Sequence, residues 1–241
     1  MQRRHFQTSF SDSKAPGGGY LATARARMVQ QLAEAGICSP QVLHIMNTVE
    51  RHCFVDDALL NRAYEDTSLP IGLEQTISKP SAVARMTQLV LGAGCARQQP
   101  SGVGHVRLGR VLEIGTGCGY QAAVLAHIAD EVHTIERLRT LHTKARDNLR
   151  PLRLMNIHLI LGDGNAGCPS GAPYDAILCT AGGSAIPVPW CEQLALGGRL
   201  VMPIAPPGKT QVLLVVDKTA QGFVQNVLEP VHFVPLKSGV A

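Results

Sequence analysis

Two rhythms of apolar positions divide the chain. Between residues 21 and 91 they recur every three or four residues, and from residue 110 they come as short unbroken runs separated by amphipathic stretches. In ATARARMVQQLAEAGI, residues 22–37, Met28, Leu32 and Ala35 or Gly36 share one helical face, and Gly36 stands where a helix stops. SPQVLHIMNTVE follows, with Ser39 as N-cap, Pro40 at the first helical position and Val42, Ile45, Met46 and Val49 as an apolar stripe. Residues 51–94 predict a short helix, a turn-rich segment and a helix over 82–91, for which Ser78 and Pro80 are start signals. The glycine-dense residues 92–109 predict a loop, and the polar residues 1–20, ending in APGGGY, a flexible tail.

Beyond the loop the pattern alternates as parallel β-α-β units do when their strands are buried on both faces. RVLEIG, EVHTIE, IHLILGD, DAILCTA and RLVMPIA predict strands. YQAAVLAHIA, RLRTLHTKARDNLR and PVPWCEQL predict the helices between them, the last closed by Gly197 and Gly198, with Trp190 packing it onto the sheet. QVLLVVD and GFVQNVLEPVHFVPL read as two more strands with no helix between, so the sheet should finish antiparallel. The expected fold is an α/β, doubly wound, Rossmann-like sheet of about seven strands, residues 110–241, behind an N-terminal helical subdomain, residues 21–91.

Composition narrows the function classes. With 45% hydrophobic and 17% charged residues, the chain of 241 residues is globular in character. Its net charge of +4 lies entirely in residues 1–30, which hold Arg3, Arg4, Lys14, Arg25 and Arg27 against Asp12. The body is therefore neutral and lacks the basic stripe of a nucleic-acid binder. Cysteines at 38, 53, 95, 118, 168, 179 and 191 form no C-x-x-C pair, and nine histidines are scattered along the chain, so free thiols and no metal site are expected. No signal-peptide core or membrane-length apolar run is visible, which reads as a cytoplasmic protein without membrane contact.

The candidate chemistry sits in VLEIGTGCGY, residues 111–120, where an apolar strand runs into Gly115, Gly117 and Gly119 just before a helix. In open parallel sheets the carboxyl ends of strands bind ligands. Glu136, at the end of the next strand, is placed to accept hydrogen bonds from both hydroxyls of a ribose. A dinucleotide fingerprint needs a small residue at 120, and Tyr120 stands there. The spacing G-x-G-x-G behind Glu113 instead matches S-adenosyl-L-methionine-dependent methyltransferases. Glu113 either orients the amino-acid end of that ligand or caps backbone amides. Asp163, followed by Gly164 at the third strand end, either meets the adenine amino group or closes an Asx-turn. The expected cofactor set is Glu113, Gly115, Thr116, Gly117, Cys118, Gly119, Glu136, Asp163 and Gly164.

With AYEDTSLPIGLEQTISKP, VHTIER, GDG, PYDAILCTA, GGRLVMPI and the terminal VHFVPL added to the glycine loop, the chain resembles the protein-L-isoaspartate O-methyltransferase family over roughly residues 27–236. The resemblance implies methyl transfer from S-adenosyl-L-methionine to the free α-carboxyl of L-isoaspartyl residues in damaged proteins and peptides. The ester then closes to a succinimide, which begins repair. It also implies Ser78 as the active-site residue, a segment before the sheet that covers the cofactor, and exchange of the last two strands relative to other methyltransferases. On the acceptor side it places Ile77, Ser78, Thr180, Ala181, Val234 and Pro235. Cys118 in place of a serine, Lys79 in place of a frequent glutamine and the glycine-rich AGGS of residues 181–184 depart from the family pattern. From the residues alone, Ser78 reads equally as an N-cap. A small-molecule or RNA acceptor, a module that holds S-adenosyl-L-methionine without turnover, and a nicotinamide oxidoreductase stand as alternatives. The oligomeric state is left open.

Overall fold

The computed structural model describes residues 18–98, 105–205 and 208–241. The expected tail therefore lies outside the described residues as far as residue 17, and a helix, α1 (Gly18–Glu34), begins at Gly18. Gly36 closes it in a left-handed conformation, φ 97°. In α2 (Pro40–Thr48) the Ser39 hydroxyl accepts the Val42 amide at 3.3 Å, and Val42, Ile45 and Met46 are buried. Two 3-10 turns, Arg51–Phe54 and Asp57–Arg62, stand where a short helix was expected.

The turn-rich segment is a hairpin, β1 (Leu69–Gly72) with β2 (Gln75–Ile77). It leads into α3 (Pro80–Leu91), whose N-cap is Lys79 rather than Ser78. Within the expected loop, β3 (Arg97–Gln98) pairs with β4 (Val106–Ile114), which begins four residues earlier than the pattern suggested. α4 (Tyr120–Ala126), β5 (Ala129–Glu136), α5 (Arg139–Leu149), β6 (Ile157–Leu161), β7 (Tyr174–Cys179) and α6 (Val188–Gln193) follow in the expected alternation.

Two boundaries depart from expectation. β8 (Leu194–Ile204) starts directly after α6, so Gly197 and Gly198 lie inside it, at a register slip against β7 between Tyr174 and Ala176. Gly197 takes φ 77°, and a side chain on Gly198 would meet the Ala195 carbonyl at 2.8 Å, so these glycines kink a strand instead of ending a helix. After β9 (Val212–Thr219), β10 (Gly222–Pro230) stops at Pro230, and residues 231–237 turn back over the end of the sheet.

The main sheet runs β10-β9-β8-β7-β4-β5-β6, parallel from β8 to β6 and antiparallel at β9 and β10. β9 thus lies beside β8 and β10 takes the edge, as the resemblance implied. All seven residues of α4 are buried, as expected of a helix apolar nearly all round and sandwiched between a sheet and a cover. The cover is the N-terminal segment, where Phe54 meets the Tyr120 ring edge-on at 5.4 Å and Arg51 stacks over it at 5.1 Å. A second core on the opposite face gathers around Trp190, whose indole N–H donates to the Gly164 carbonyl at 2.8 Å. None of the seven cysteines forms a disulfide. No helix among the described residues is long and apolar enough to cross a membrane.

Candidate active site

The turn from β4 into α4 is fixed first by its own backbone, with side chains added from Glu136, Thr180 and Asn148. Gly115 and Thr116 amides both donate to the Ile135 carbonyl, at 2.9 and 3.2 Å, and the Gly119 amide donates to the Thr116 carbonyl at 2.9 Å. Gly115, Gly117 and Gly119 adopt φ of 94°, 56° and 92°, conformations that side chains rarely tolerate. A Cβ on Gly115 would run into the Thr180 hydroxyl, and one on Gly119 would stand 3.1 Å from Leu149. On Gly117 it would press against Ile71, a residue of the neighbouring cleft, at 3.2 Å. Two of the three glycines thus make room for the protein's own packing, and Gly117 makes room on the cleft side.

That cleft lies at the carboxyl ends of β4, β5, β6 and β7. Its floor is Ile114, Gly115, Gly117 and Gly164, and its sides include Ile135, Glu136, Leu138 and Leu141. Glu136 is nearly enclosed, and its two oxygens accept from the Gly117 amide at 2.8 Å and the Leu138 amide at 2.9 Å. Each oxygen keeps a second lone pair for a ligand hydroxyl. A flat apolar floor beside one carboxylate suits an adenosyl group: Ile114, Leu138 and Leu141 can flank the base, and Glu136 the ribose.

Glu113 stands apart from the cleft lining. Wholly buried beneath the loop, it accepts the Thr134 hydroxyl at 2.6 Å, and Thr134 in turn meets the Thr116 hydroxyl at 2.6 Å. Burial raises its carboxyl to about 8, the Thr134 hydrogen bond opposing and the charge of Glu136 adding to the rise. Its other oxygen has no hydrogen-bond partner among the described residues. Asp163 caps the 3-10 turn Gly164–Ala166 through the Asn165 amide at 2.9 Å, and its second oxygen accepts the Gly239 amide at 2.7 Å. Asp163 thus closes an Asx-turn, and its neighbour Gly164 reaches the cleft.

A narrower recess continues from the glycine loop toward the cap, lined by Thr76, Ile77, Ser78, Thr116, Cys118 and Thr180 among others. Gly115, Gly117, Thr76 and Thr180 border both spaces. Ser78, half-buried between β2 and α3, is freed from capping by the position of Lys79. The Thr180 hydroxyl donates to the Gly115 carbonyl at 2.7 Å, holding the end of β7 against the loop. Ala181, Val234 and Pro235 line the larger cleft, where the Gly182 amide donates to the Val234 carbonyl and the Leu236 amide to the Gly182 carbonyl, both at 2.8 Å.

A scan of family models matches residues 23–241 to protein-L-isoaspartate(D-aspartate) O-methyltransferase. The protein-L-isoaspartate O-methyltransferase of Leptothrix cholodnii is 54% identical over 219 residues, 90% of this chain and 74% of that protein. That of Methylibium petroleiphilum is 54% identical over 217 residues, 89% of this chain and 77% of that protein. The chain belongs to the protein-L-isoaspartate O-methyltransferase family. Among solved structures, one protein-L-isoaspartate O-methyltransferase shares 28% identity with a TM-score of 0.76, over 90% of this chain and 67% of its own. A Plasmodium falciparum structure, described as a protein-L-isoaspartate O-methyltransferase in complex with S-adenosyl-L-homocysteine, superposes with a TM-score of 0.72 at 24% identity, over 88% of this chain and 98% of its own.

Family membership gives the three departures a physical setting. Cys118 is buried and its thiol is pushed up to about 11 by that burial, so it is a packing group and not a nucleophile. Lys79 is exposed, 4.0 Å from Asp66. In AGGS, a side chain on Gly182 would collide with Gln211, whose amide meets both the N–H and the C=O of Phe233. The extra glycine therefore admits a clamp on the terminal segment. Sequence reasoning missed Ile71, Gln75, Thr76, Ile114, Ile135, Arg137, Leu138, Leu141, Leu236 and Lys237 as cleft residues. Leu138 and Leu141 carried a usable signal, since a helix starting directly after the strand-end carboxylate Glu136 turns its first apolar face toward the same cleft.

Proposed function

We propose that this chain, a methyltransferase by family, esterifies the free α-carboxyl of L-isoaspartyl residues in damaged proteins and peptides, with Ser78 aiming the acceptor. The observation that carries this reading is the recess that joins Ser78 to the glycine-loop cleft across Thr76, Gly115, Gly117 and Thr180. When bound, S-adenosyl-L-methionine supplies a methyl group activated by its sulfonium. Glu136 holds the ribose hydroxyls, Ile114, Leu138 and Leu141 enclose the base, and the glycine loop lets the ligand lie against backbone. Beneath them, Glu113 braces the loop through Thr134 and Thr116.

An α-carboxyl has a pKa near 3.5 and is ionised at neutral pH, so the acceptor needs no general base. The chain's task is alignment. Ser78 donates one hydrogen bond to a carboxylate oxygen, Ile77 and Thr76 wall the recess, and Val234 and Pro235 close the cleft against water. Damaged proteins and peptides are the partners this chemistry implies, and no nucleic-acid contact belongs to it. The succinimide forms afterwards, when the next backbone nitrogen attacks the ester and expels methanol.

The test is a pair of peptides identical except for isoaspartate against aspartate, incubated with the full chain and methyl-labelled S-adenosyl-L-methionine. Base-labile label on the isoaspartyl peptide alone supports the assignment. Equal labelling, or none on either, refutes it.

A further inference from the structure

The sheet brings together histidines that lie far apart in sequence. His133 on β5 stands directly opposite His158 on β6, their rings 4.8 Å apart and inclined at 53°. Glu131 precedes His133 by two residues, so it faces the same side of the strand. One donor atom from each of the three lies within 4.8 Å of the others. We propose that Glu131, His133 and His158 form a binding site for a divalent first-row transition ion, with zinc as the expected occupant, on the face of the sheet opposite α4. Val132 packs into the core under α4, whereas Ile135 and Tyr174 belong to the core around Trp190, which puts His133 on that second face.

The hydrogen bonds around His133 prepare it as a ligand. The Tyr174 hydroxyl is buried and donates its only proton to the Cys168 carbonyl at 2.8 Å. The contact between that hydroxyl and His133 Nδ1, at 3.0 Å, therefore has the imidazole N–H as donor. Nε2 is left as the bare nitrogen with a lone pair to give. A buried partner that fixes the tautomer and ring angle of a histidine is the outer-shell arrangement metal sites use. Gly171 lies so close behind the ring that any side chain there would collide with it, which holds the imidazole in place.

Glu131 is similarly supported. Arg110 Nε donates to its Oε2 at 3.2 Å and leaves Oε1 free. Two imidazoles and one carboxylate are a donor set that suits zinc and poorly suits magnesium or calcium. Ligand atoms on one tetrahedral ion stand roughly 3.3 Å apart, so the site closes by about 1.5 Å, a swing open to His158. His158 is exposed while Glu131 and His133 are half-buried, so an ion enters from solvent and keeps water on its open side. Glu136 is three residues further along β5, roughly 10 Å from His133, which separates this site from the cleft.

The full chain, freed of metals and of any histidine tag, should bind one zinc ion at this site in calorimetry, and magnesium should give no signal. His158→Gln, an exposed change, should weaken zinc at least tenfold and leave isoaspartyl methylation unchanged; His133→Asn should do the same to zinc. Glu50, His52 and Cys53 form the other cluster of suitable donors among the described residues. Cobalt substitution separates the two, because a site without thiolate shows no sulfur-to-cobalt charge-transfer band. Long-range nitrogen NMR should report His133 as the Nδ1–H tautomer, with Nε2 shifting on zinc addition. Zinc affinity unaltered in His158→Gln, loss of binding in Cys53→Ser, or no binding by the wild-type chain would overturn the proposal.

Discussion

The two walls of the cleft are held in place by different means. The glycine-loop wall, Gly115 to Gly119 with Glu136, comes from one stretch of 22 residues and is fixed by hydrogen bonds among backbone groups and a buried carboxylate. The cap wall draws on residues 71–78 and 234–237, more than 150 positions apart, and is held by the short β1–β2 ladder, by two backbone bonds at Gly182, and otherwise by side chains near the surface. Lys144, for example, donates to the Ile71 carbonyl at 3.2 Å while pairing with Asp56 at 2.8 Å. Arg137 donates to the Gly239 carbonyl at 3.0 Å, and Asp163 accepts the Gly239 amide. A wall of backbone cannot adapt and is suited to an invariant cofactor; a wall of side chains can give way, as varied peptides require.

The comparison breaks most visibly at Gly115. Gly115→Val forces a branched residue into φ 94° and drives Cβ into the Thr180 hydroxyl. Backbone strain of that kind costs about 1–3 kcal/mol before the collision is counted, so affinity for S-adenosyl-L-homocysteine in titration calorimetry should fall roughly 100-fold or more. Next in size is Glu136→Gln, which removes the charge from the pair of amide contacts and from the ribose. A loss of about tenfold to thirtyfold in cofactor affinity is expected, with KM for the peptide unchanged at saturating cofactor.

A smaller effect tests how the loop wall is supported. With Glu113 raised to about 8 in the fold and near 4.5 in the open chain, the native state holds a proton that the unfolded state has released between those values. This contribution is full below pH 4.5 and is lost as pH rises through about 8. Chemical denaturation of the ligand-free protein at pH 5 and pH 8 should show the wild type losing stability relative to Glu113→Gln, by roughly 3 kcal/mol at most. Parallel pH profiles for the two proteins would remove Glu113 as a buried, protonated brace.

Legibility in the sequence divides along the same line. Strands β4 to β8 were readable because buried parallel strands are continuous apolar runs, and Glu136 was readable because its position follows from one strand–helix–strand count. The β1–β2 hairpin was hidden because Leu73 and Glu74 take left-handed φ of 53° and 59°, where glycine or asparagine would have announced the turn. VHFVPL kept a strand-like alternation beyond β10, yet Pro235 makes only a single bridge, to Gly182. The encounter of His133 with His158 depends on the register of two strands, which no local pattern records. Ser78 was singled out by resemblance, since its local sequence fits an N-cap equally well and only the backbone assigns that position to Lys79.

The division between a cofactor wall and an acceptor wall is tested most directly on Ser78→Ala, by measuring S-adenosyl-L-homocysteine affinity and isoaspartyl-peptide kcat/KM on the same preparation. Loss of one aiming hydrogen bond should lower kcat/KM about tenfold and leave the cofactor Kd within about twofold. A matching fall in both quantities, or no change in kcat/KM, would contradict the account.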